Sequence, residues 1–317
     1  MKVTEHYDRA SEPLISFEII PPKRGGSIKT VFDALDKVVS TVKPPFIDVT
    51  YHAPEVQVEE QSDGTLKKVV RRKRPGTIGL CAAILHRYGI DPVPHLLCGG
   101  FSRESAEDAL IELNYLGIHN VLALRGDDHG SEAPYPVGGS KNRYASDLVA
   151  QIQDMNQGNY LEKLAHAEPT DFCVGVAGYP EKHFEAPNLD WDIKKLKEKV
   201  DAGAHYVVTQ MFFDNSRFFD FVERCRDQGI TVPIIPGLKI LTTPNHLSSL
   251  PKFFHLNIPD ALANSVEKDP KNTKSIGIEW AQKQCLELME GGVPGIHFYV
   301  MGDPQPALDV IRFATKK

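Results

Sequence analysis

The chain has 317 residues, 41% hydrophobic and 25% charged, with a formal net charge of -6. That is the composition of an ordinary globular domain; it excludes a basic nucleic-acid surface, and no apolar run approaches the ~20 residues of a bilayer span. Five scattered cysteines form no Cys-x-x-Cys pair and read as reduced thiols of a cytoplasmic protein; the polar start is no secretory signal, and the twelve histidines show no metal-ligand spacing, so no metal is expected.

In chain order, residues 14–20 read as the first strand, closed by Pro21-Pro22, which cannot donate to a ladder. Alternation turns Ser16 and Glu18 to one face and Phe17 and Ile19 to the other, which places a carboxylate inside an apolar strand. Residues 27–42 follow as a helix with apolar Ile28, Val31, Phe32, Leu35, Val38 and Val39 at helical spacing, and 46–51 as the second strand. Residues 55–71 break the rhythm: two β-prone arms, one acidic and one basic, flank Asp63-Gly64, the signature of a surface β-hairpin insertion. Helices are expected at 77–88, 102–116 (N-capped by Ser102), 144–153, 190–202 and 215–228, and strands at 93–98, 120–124, 172–177, 206–213 and 232–238. Residues 130–142 form a long Gly/Pro/Ser-rich loop, 244–290 a broken helical stretch, 296–301 the last strand and 305–315 a closing helix.

Helices repeatedly end on glycine a few residues before a strand, at Gly117, Gly203, Gly229 and Gly291-Gly292. Helix, glycine, strand in repetition is what a parallel sheet with crossover helices requires. Eight strands in that alternation predict a single-domain α/β fold, a (β/α)8 TIM barrel spanning 1–317, ahead of a doubly wound sheet. The strand ends are polar: Glu18, Thr50, His95, Arg125-Gly126-Asp127, Tyr179 with His183 and Glu185, Gln210 and Lys239. In a barrel these ends converge on one mouth, so residues far apart in sequence gather there. No Gly-x-Gly-x-x-Gly follows a strand and no Walker-type loop occurs, so a nucleotide cofactor would be held by other means.

Ser16-Phe17-Glu18-Ile19-Ile20-Pro21-Pro22, Val49-Thr50-Tyr51, Pro94-His95-Leu96, Ala123-Leu124-Arg125-Gly126-Asp127, Tyr144-Ala145-Ser146-Asp147 and Tyr179-Pro180-Glu181-Lys182-His183 resemble methylenetetrahydrofolate reductases. So do Thr209-Gln210-Met211-Phe212-Phe213, Ile235-Pro236-Gly237 and His297-Phe298-Tyr299, in order from about residue 14 to 315. The resemblance implies a flavin-binding (β/α)8 barrel that reduces 5,10-methylenetetrahydrofolate to 5-methyltetrahydrofolate, serving one-carbon metabolism and methionine synthesis. It implies FAD as cofactor and NADH or NADPH as electron donor, in a ping-pong hydride relay. Family members commonly self-associate, so a homo-oligomer is expected; neither nucleic acid nor membrane is an expected partner.

By the same resemblance Glu18 is the general acid that protonates the departing folate nitrogen, and burial among apolar residues suits a carboxyl group to that task. Asp127 is the carboxylate beside flavin and pterin, both catalytic and substrate-binding, and Gln210 the pterin-contacting amide. Thr50, His95, Arg125, Gly126, Asp127, Tyr144, Ala145, Tyr179, His183, Asp192, Lys195 and Lys199 match the FAD-contacting set, with the cations meeting the diphosphate. Three positions depart from the pattern. No arginine follows Tyr299 until Arg312, no aromatic residue aligns in the loop after Pro236-Gly237, and Glu198 stands where a basic FAD contact is common. These departures leave room for another FAD-dependent barrel oxidoreductase of proline-dehydrogenase type, a Schiff-base lyase using Lys239, or a non-catalytic flavin- or folate-binding barrel.

Overall fold

The computed structural model describes residues 1–126, 141–300 and 302–315. Its elements are, in order, α1 (Val3–Arg9), β1 (Leu14–Ile19), α2 (Lys29–Thr41), β2 (Phe46–Val49), β3 (Glu55–Glu60), β4 (Leu66–Arg71), α3 (Thr77–Tyr88), β5 (Asp91–Leu97), α4 (Arg103–Tyr115), β6 (Asn120–Leu124) and α5 (Ala145–Asn156). There follow β7 (Cys173–Gly178), α6 (Leu189–Asp201), β8 (Tyr206–Thr209), α7 (Asn215–Asp227), β9 (Ile234–Ile235), β10 (Gly237–Leu238), α8 (His246–Phe254), α9 (Asp260–Lys268), α10 (Thr273–Glu290), β11 (Gly295–Tyr299) and α11 (Gln305–Ala314). The main sheet runs β10-β11-β1-β2-β5-β6-β7-β8-β9, every pair parallel. Its two ends, β9 and β10, are separated by Pro236 alone, whose carbonyl accepts from His297 N at 2.9 Å. They are therefore two halves of one strand, interrupted where proline has no N–H, and the ring closes as a (β/α)8 barrel.

Strand alternation divides the core in two. Phe17, Ile19, Ile47, Val49, Val121, Val174, Val207 and Phe298 face outward into a large cluster with helix residues such as Leu35, Leu110, Ile152 and Leu308. Phe46, Val93, Leu122, Cys173, Tyr206, Val208 and Ile235 face inward and fill the lower half of the barrel. α1, which sequence patterning did not single out, adds Val3 and Tyr7 to that inner cluster. It is docked by Val3 N donating to Asn120 Oδ1 (2.8 Å) and by His6 Nε2 against Asp91 Oδ2 (2.7 Å), both acceptors at the N-terminal ends of strands. One end of the barrel is thus plugged by α1.

Three expected boundaries move. The strand expected over 206–213 ends at Thr209, because Met211 and Phe213 turn away into a third cluster with Leu241, Leu250, Leu262 and Val266. The strand expected over 232–238 is split at Pro236. The 244–290 stretch resolves into α8, α9, a short 3-10 turn and α10. Antiparallel β3 and β4 form a separate two-stranded sheet with Glu55 opposite Arg71 and Glu59 opposite Lys67. All five cysteines are buried and unpaired; burial pushes Cys98, Cys225 and Cys285 up to about 12, so they serve as apolar filler. No helix among the described residues is long and apolar enough to cross a membrane.

Candidate active site

Toward the C-terminal end of the barrel stand the residues that follow the inner apolar layer along the strands. On β1, Ser16 and Glu18 point inward as alternation requires, with Phe17 and Ile19 in the outer core. Glu18 lies toward the mouth, and its Oε2 is 3.7 Å from His95 Nε2. His95 is buried in β5, and the same Nε2 is 3.5 Å from Oδ1 of Asp48 on β2. Asp48 Oδ2 lies 3.9 Å from His297 Nδ1 on β11, which in turn is hydrogen-bonded to Ser16 Oγ at 2.9 Å. Four strands thus bring two carboxylates and two imidazoles into one buried cluster. Burial pushes Asp48 up to about 6, against the opposing pull of His297. Burial also lowers both His95 and His297, against the pull of Glu18 on the first and Asp48 on the second, which keeps both rings neutral near pH 7.

Beside this cluster, Lys239 follows β10 and donates to the Tyr299 carbonyl at 3.0 Å, while Tyr299 OH donates to the Thr209 carbonyl at 2.6 Å. Burial brings Lys239 down to about 8, opposed by Glu18. That lowered value is the trait a Schiff-base lysine needs, but here the Nζ is engaged by a backbone carbonyl. Gln210, just past β8, accepts from Met211 N through Oε1 at 3.0 Å; its amide nitrogen has no hydrogen-bond partner among the described residues.

A second group gathers after β5, β6 and β7. Arg125 forks onto both oxygens of Glu185, and the adjacent Gly126 adopts φ +94°, where any Cβ would also press on Leu97. The Glu185 carboxyl is held below its ordinary range by that hydrogen-bonded arginine. His183 packs edge-on to Tyr179 with centroids 4.8 Å apart, and its backbone N–H donates to Asp192 Oδ2 at 2.8 Å. Burial takes His183 down to about 4, so its ring is neutral. Lys199, half-buried on α6, donates to the Ala177 carbonyl; desolvation lowers it to about 8, with Asp192 opposing. Tyr144 caps the N-terminus of α5 and Ala145 opens it, with Asp147 Oδ2 accepting from the backbone N–H groups of Arg143 and Tyr144 at 2.9 Å each. Thr50 accepts through its carbonyl from Thr77 Oγ1 at 2.8 Å.

Lys195 stands apart from the rest of the second group. It is exposed, pairs with Glu198 at 2.7 Å, and lies over the Trp191 ring. Asp127 and most of the loop expected at 130–142 lie outside the described residues. Asp48 is the residue that sequence reading missed. Its signal was present: it is an acidic residue in an apolar strand, at the same alternation as Thr50. Among the described residues no group of three or more His, Cys, Asp or Glu is placed to hold a metal ion.

The chain matches the methylenetetrahydrofolate reductase family profile over residues 2–313. It is 31% identical over 307 residues to methylenetetrahydrofolate reductase 1 of Schizosaccharomyces pombe, covering 95% of this chain and 46% of that one. It is 30% identical over 290 residues to the 5,10-methylenetetrahydrofolate reductase of Pectobacterium carotovorum, covering 90% and 85% respectively. Methylenetetrahydrofolate reductase (NADH) 1 of Arabidopsis thaliana is 31% identical over 98% of this chain. The chain spans about half the length of these yeast and plant relatives. Among solved structures, a Clostridium thermocellum protein described as binding two copies of 5-methyl-5,6,7,8-tetrahydrofolic acid has the same fold, with a TM-score of 0.62 at 13% identity, covering 99% of this chain and 98% of that one.

Proposed function

The chain belongs to the methylenetetrahydrofolate reductase family, and from that premise we propose that it reduces 5,10-methylenetetrahydrofolate to 5-methyltetrahydrofolate, with NADH or NADPH as donor and FAD as carrier. The observation that carries the reading is Glu18. It is an inward-facing carboxyl group near the C-terminal end of β1, at the end of the barrel opposite the α1 plug, and is backed by a buried His95. Opening the folate's five-membered ring requires a proton on the departing nitrogen, and a largely buried carboxyl group at the mouth is a chemically apt donor. Gln210 supplies an amide suited to the hydrogen-bonding edge of a pterin.

The donor set after β6 and β7 fits a dinucleotide. Lys199 is a half-buried cation met by one backbone carbonyl and a nearby Asp192, a partly desolvated charge that an incoming diphosphate would stabilise. Arg125 is held in a fork by Glu185, and the N-terminus of α5 lies at Tyr144 and Ala145, a favourable place for an anion. Thr50, His95, Gly126, Tyr179, His183 and Asp192 complete the proposed FAD set, with Asp127 and the exposed Lys195 assigned to it by family likeness. When bound, FAD would accept hydride from the nicotinamide and pass it to the folate. The protein's own part is to hold the ring systems at the mouth, keep water from them and deliver the proton from Glu18. Asp127 we assign to orienting the folate.

The test is direct. The purified protein, reconstituted with FAD, should show a bound-flavin absorption spectrum that NADH bleaches and methylenetetrahydrofolate restores, with methyltetrahydrofolate as product. NADH is the first donor to assay, since it is the one in the name of the Arabidopsis relative. A protein that takes up no flavin from excess FAD would end this reading.

A further inference from the structure

Beneath Glu18 the barrel carries more acid–base groups than a single proton donor requires. Asp48 and His297 are each 1% exposed and His95 is 4% exposed. Asp48 Oδ1 and His95 Nε2 face each other at 3.5 Å, and neither has a hydrogen-bond partner among the described residues. A buried acceptor and a buried ring nitrogen left unsatisfied side by side cost stability. The same nitrogen lies 3.7 Å from Glu18 Oε2. An imidazole nitrogen carries at most one hydrogen, so it can satisfy one of these two carboxyl groups at a time.

We propose that Asp48 is a positioning residue that acts through His95 to keep the proton on Glu18 until the folate nitrogen takes it. This rests on the reading of Glu18 as the general acid. Two carboxyl groups sharing one imidazole in a low-dielectric interior do not both ionise readily. Asp48, with its ordinary range pushed up to about 6, is the ionised member at neutral pH, and the neutral His95 donates to it on a small approach. We assign the retained proton to Glu18, whose Oε2 lies on the mouth side of the same ring nitrogen. In turnover the proton leaves Glu18 for the folate nitrogen as the carbon–nitrogen bond opens. Water at the emptied mouth returns one proton to Glu18, and Asp48 and His95 end as they began.

The other groups around the cluster set the balance. Tyr7 from α1, Cys81 from α3, Tyr206 from β8, and His297 and Tyr299 from β11 interact with Asp48, and burial holds each of them neutral. Lys239 faces Glu18 and opposes Asp48, favouring the ionised carboxylate while it remains charged below about pH 8.

The experiment follows the folate half-reaction by stopped flow, mixing pre-reduced holoenzyme with methylenetetrahydrofolate from about pH 6.5 to about pH 9.5. In the wild type the rate falls once Glu18 loses its proton. In Asp48→Asn that fall should begin at least about one pH unit lower, so that on the alkaline limb the rate drops about tenfold beyond any change at the acid end. His95→Gln, which keeps Asp48 but removes the bridge, should move the limb the same way, and it carries the test if Asp48→Asn does not fold. A limb that stays in place in both variants while the rate falls equally at every pH makes the cluster merely structural and overturns the inference. So does a limb that moves upward. A Glu18→Gln variant that still reduces folate removes the acid itself, and the inference falls with it. Absence of any wild-type turnover instead points to failure of the functional reading as a whole.

Discussion

Glu18 and Lys199 show how one residue's surroundings decide its chemistry. On the proposed function, hydride transfer from NADH to flavin would need no proton from Glu18, whereas ring opening of the folate would. Glu18→Gln keeps shape and hydrogen bonding but carries no acidic proton, so folate reduction should fall about 10²–10⁴-fold while flavin bleaching by NADH persists. Single-turnover traces of the two half-reactions check this, and equal losses in both would mark Glu18 as structural. Lys199 is a cation only below about pH 8, well under the ordinary lysine range, because burial disfavours its charge. An anion bound there favours the protonated form. FAD affinity should therefore be greatest below about pH 8 and weaken as the pH rises through it; Lys199→Met should bind more weakly and lose that dependence. Flavin fluorescence quenching at several pH values reads both. Glu18 was legible from alternation within β1. The partnership of His95 with Asp48 was not, because the two lie on different strands and only their pairing in the ring brings them together.

At the scale of elements, the strands had to be short, parallel and alternating, and the interior had to be filled from both ends. Gly175 on β7 shows how tight that filling is. A Cβ there would overlap the ring of Tyr206, which fills the barrel from the neighbouring strand. Gly175→Ala should cost ~1–3 kcal/mol through overpacking, read as a lower midpoint in urea unfolding with an unchanged slope; an unchanged midpoint would mean the Tyr206 ring has room to move. Helix ends and strand cores were readable because glycine and apolar periodicity are local signals. α1 was not, since only Val3 and Tyr7 of its seven residues join the core, and their value appears only against the strand ends they cover. The split seventh strand illustrates the converse. Pro236 was visible, but that its carbonyl would still accept from His297 across the closing seam depends on the ring.

For the molecule as a whole, the barrel carries the stability and the hairpin is an appendage. β3 and β4 pair with each other alone and leave Val58, Leu66 and Val70 more than half exposed. The base of the hairpin is tied down by Arg24 N to the Lys73 carbonyl at 2.7 Å and by Arg74 to the Pro21 carbonyl at 2.7 Å. Excising residues 57–69 and joining the ends with two glycines should preserve the circular-dichroism spectrum and move the melting temperature by no more than about 2 °C; a loss of cooperative unfolding would show that the hairpin supports the barrel. The sequence by itself determined the parallel α/β order, the single barrel, the inward direction of Glu18 and the family likeness, because periodicity, turn residues and motifs are written along the chain. Only the tertiary structure decided the plugging of one end by α1, the closure of the ring through two half-strands, and the burial of Asp48 between two histidines. Those depend on contacts between residues distant in sequence, and their energies come from desolvation and pairing that no local pattern encodes.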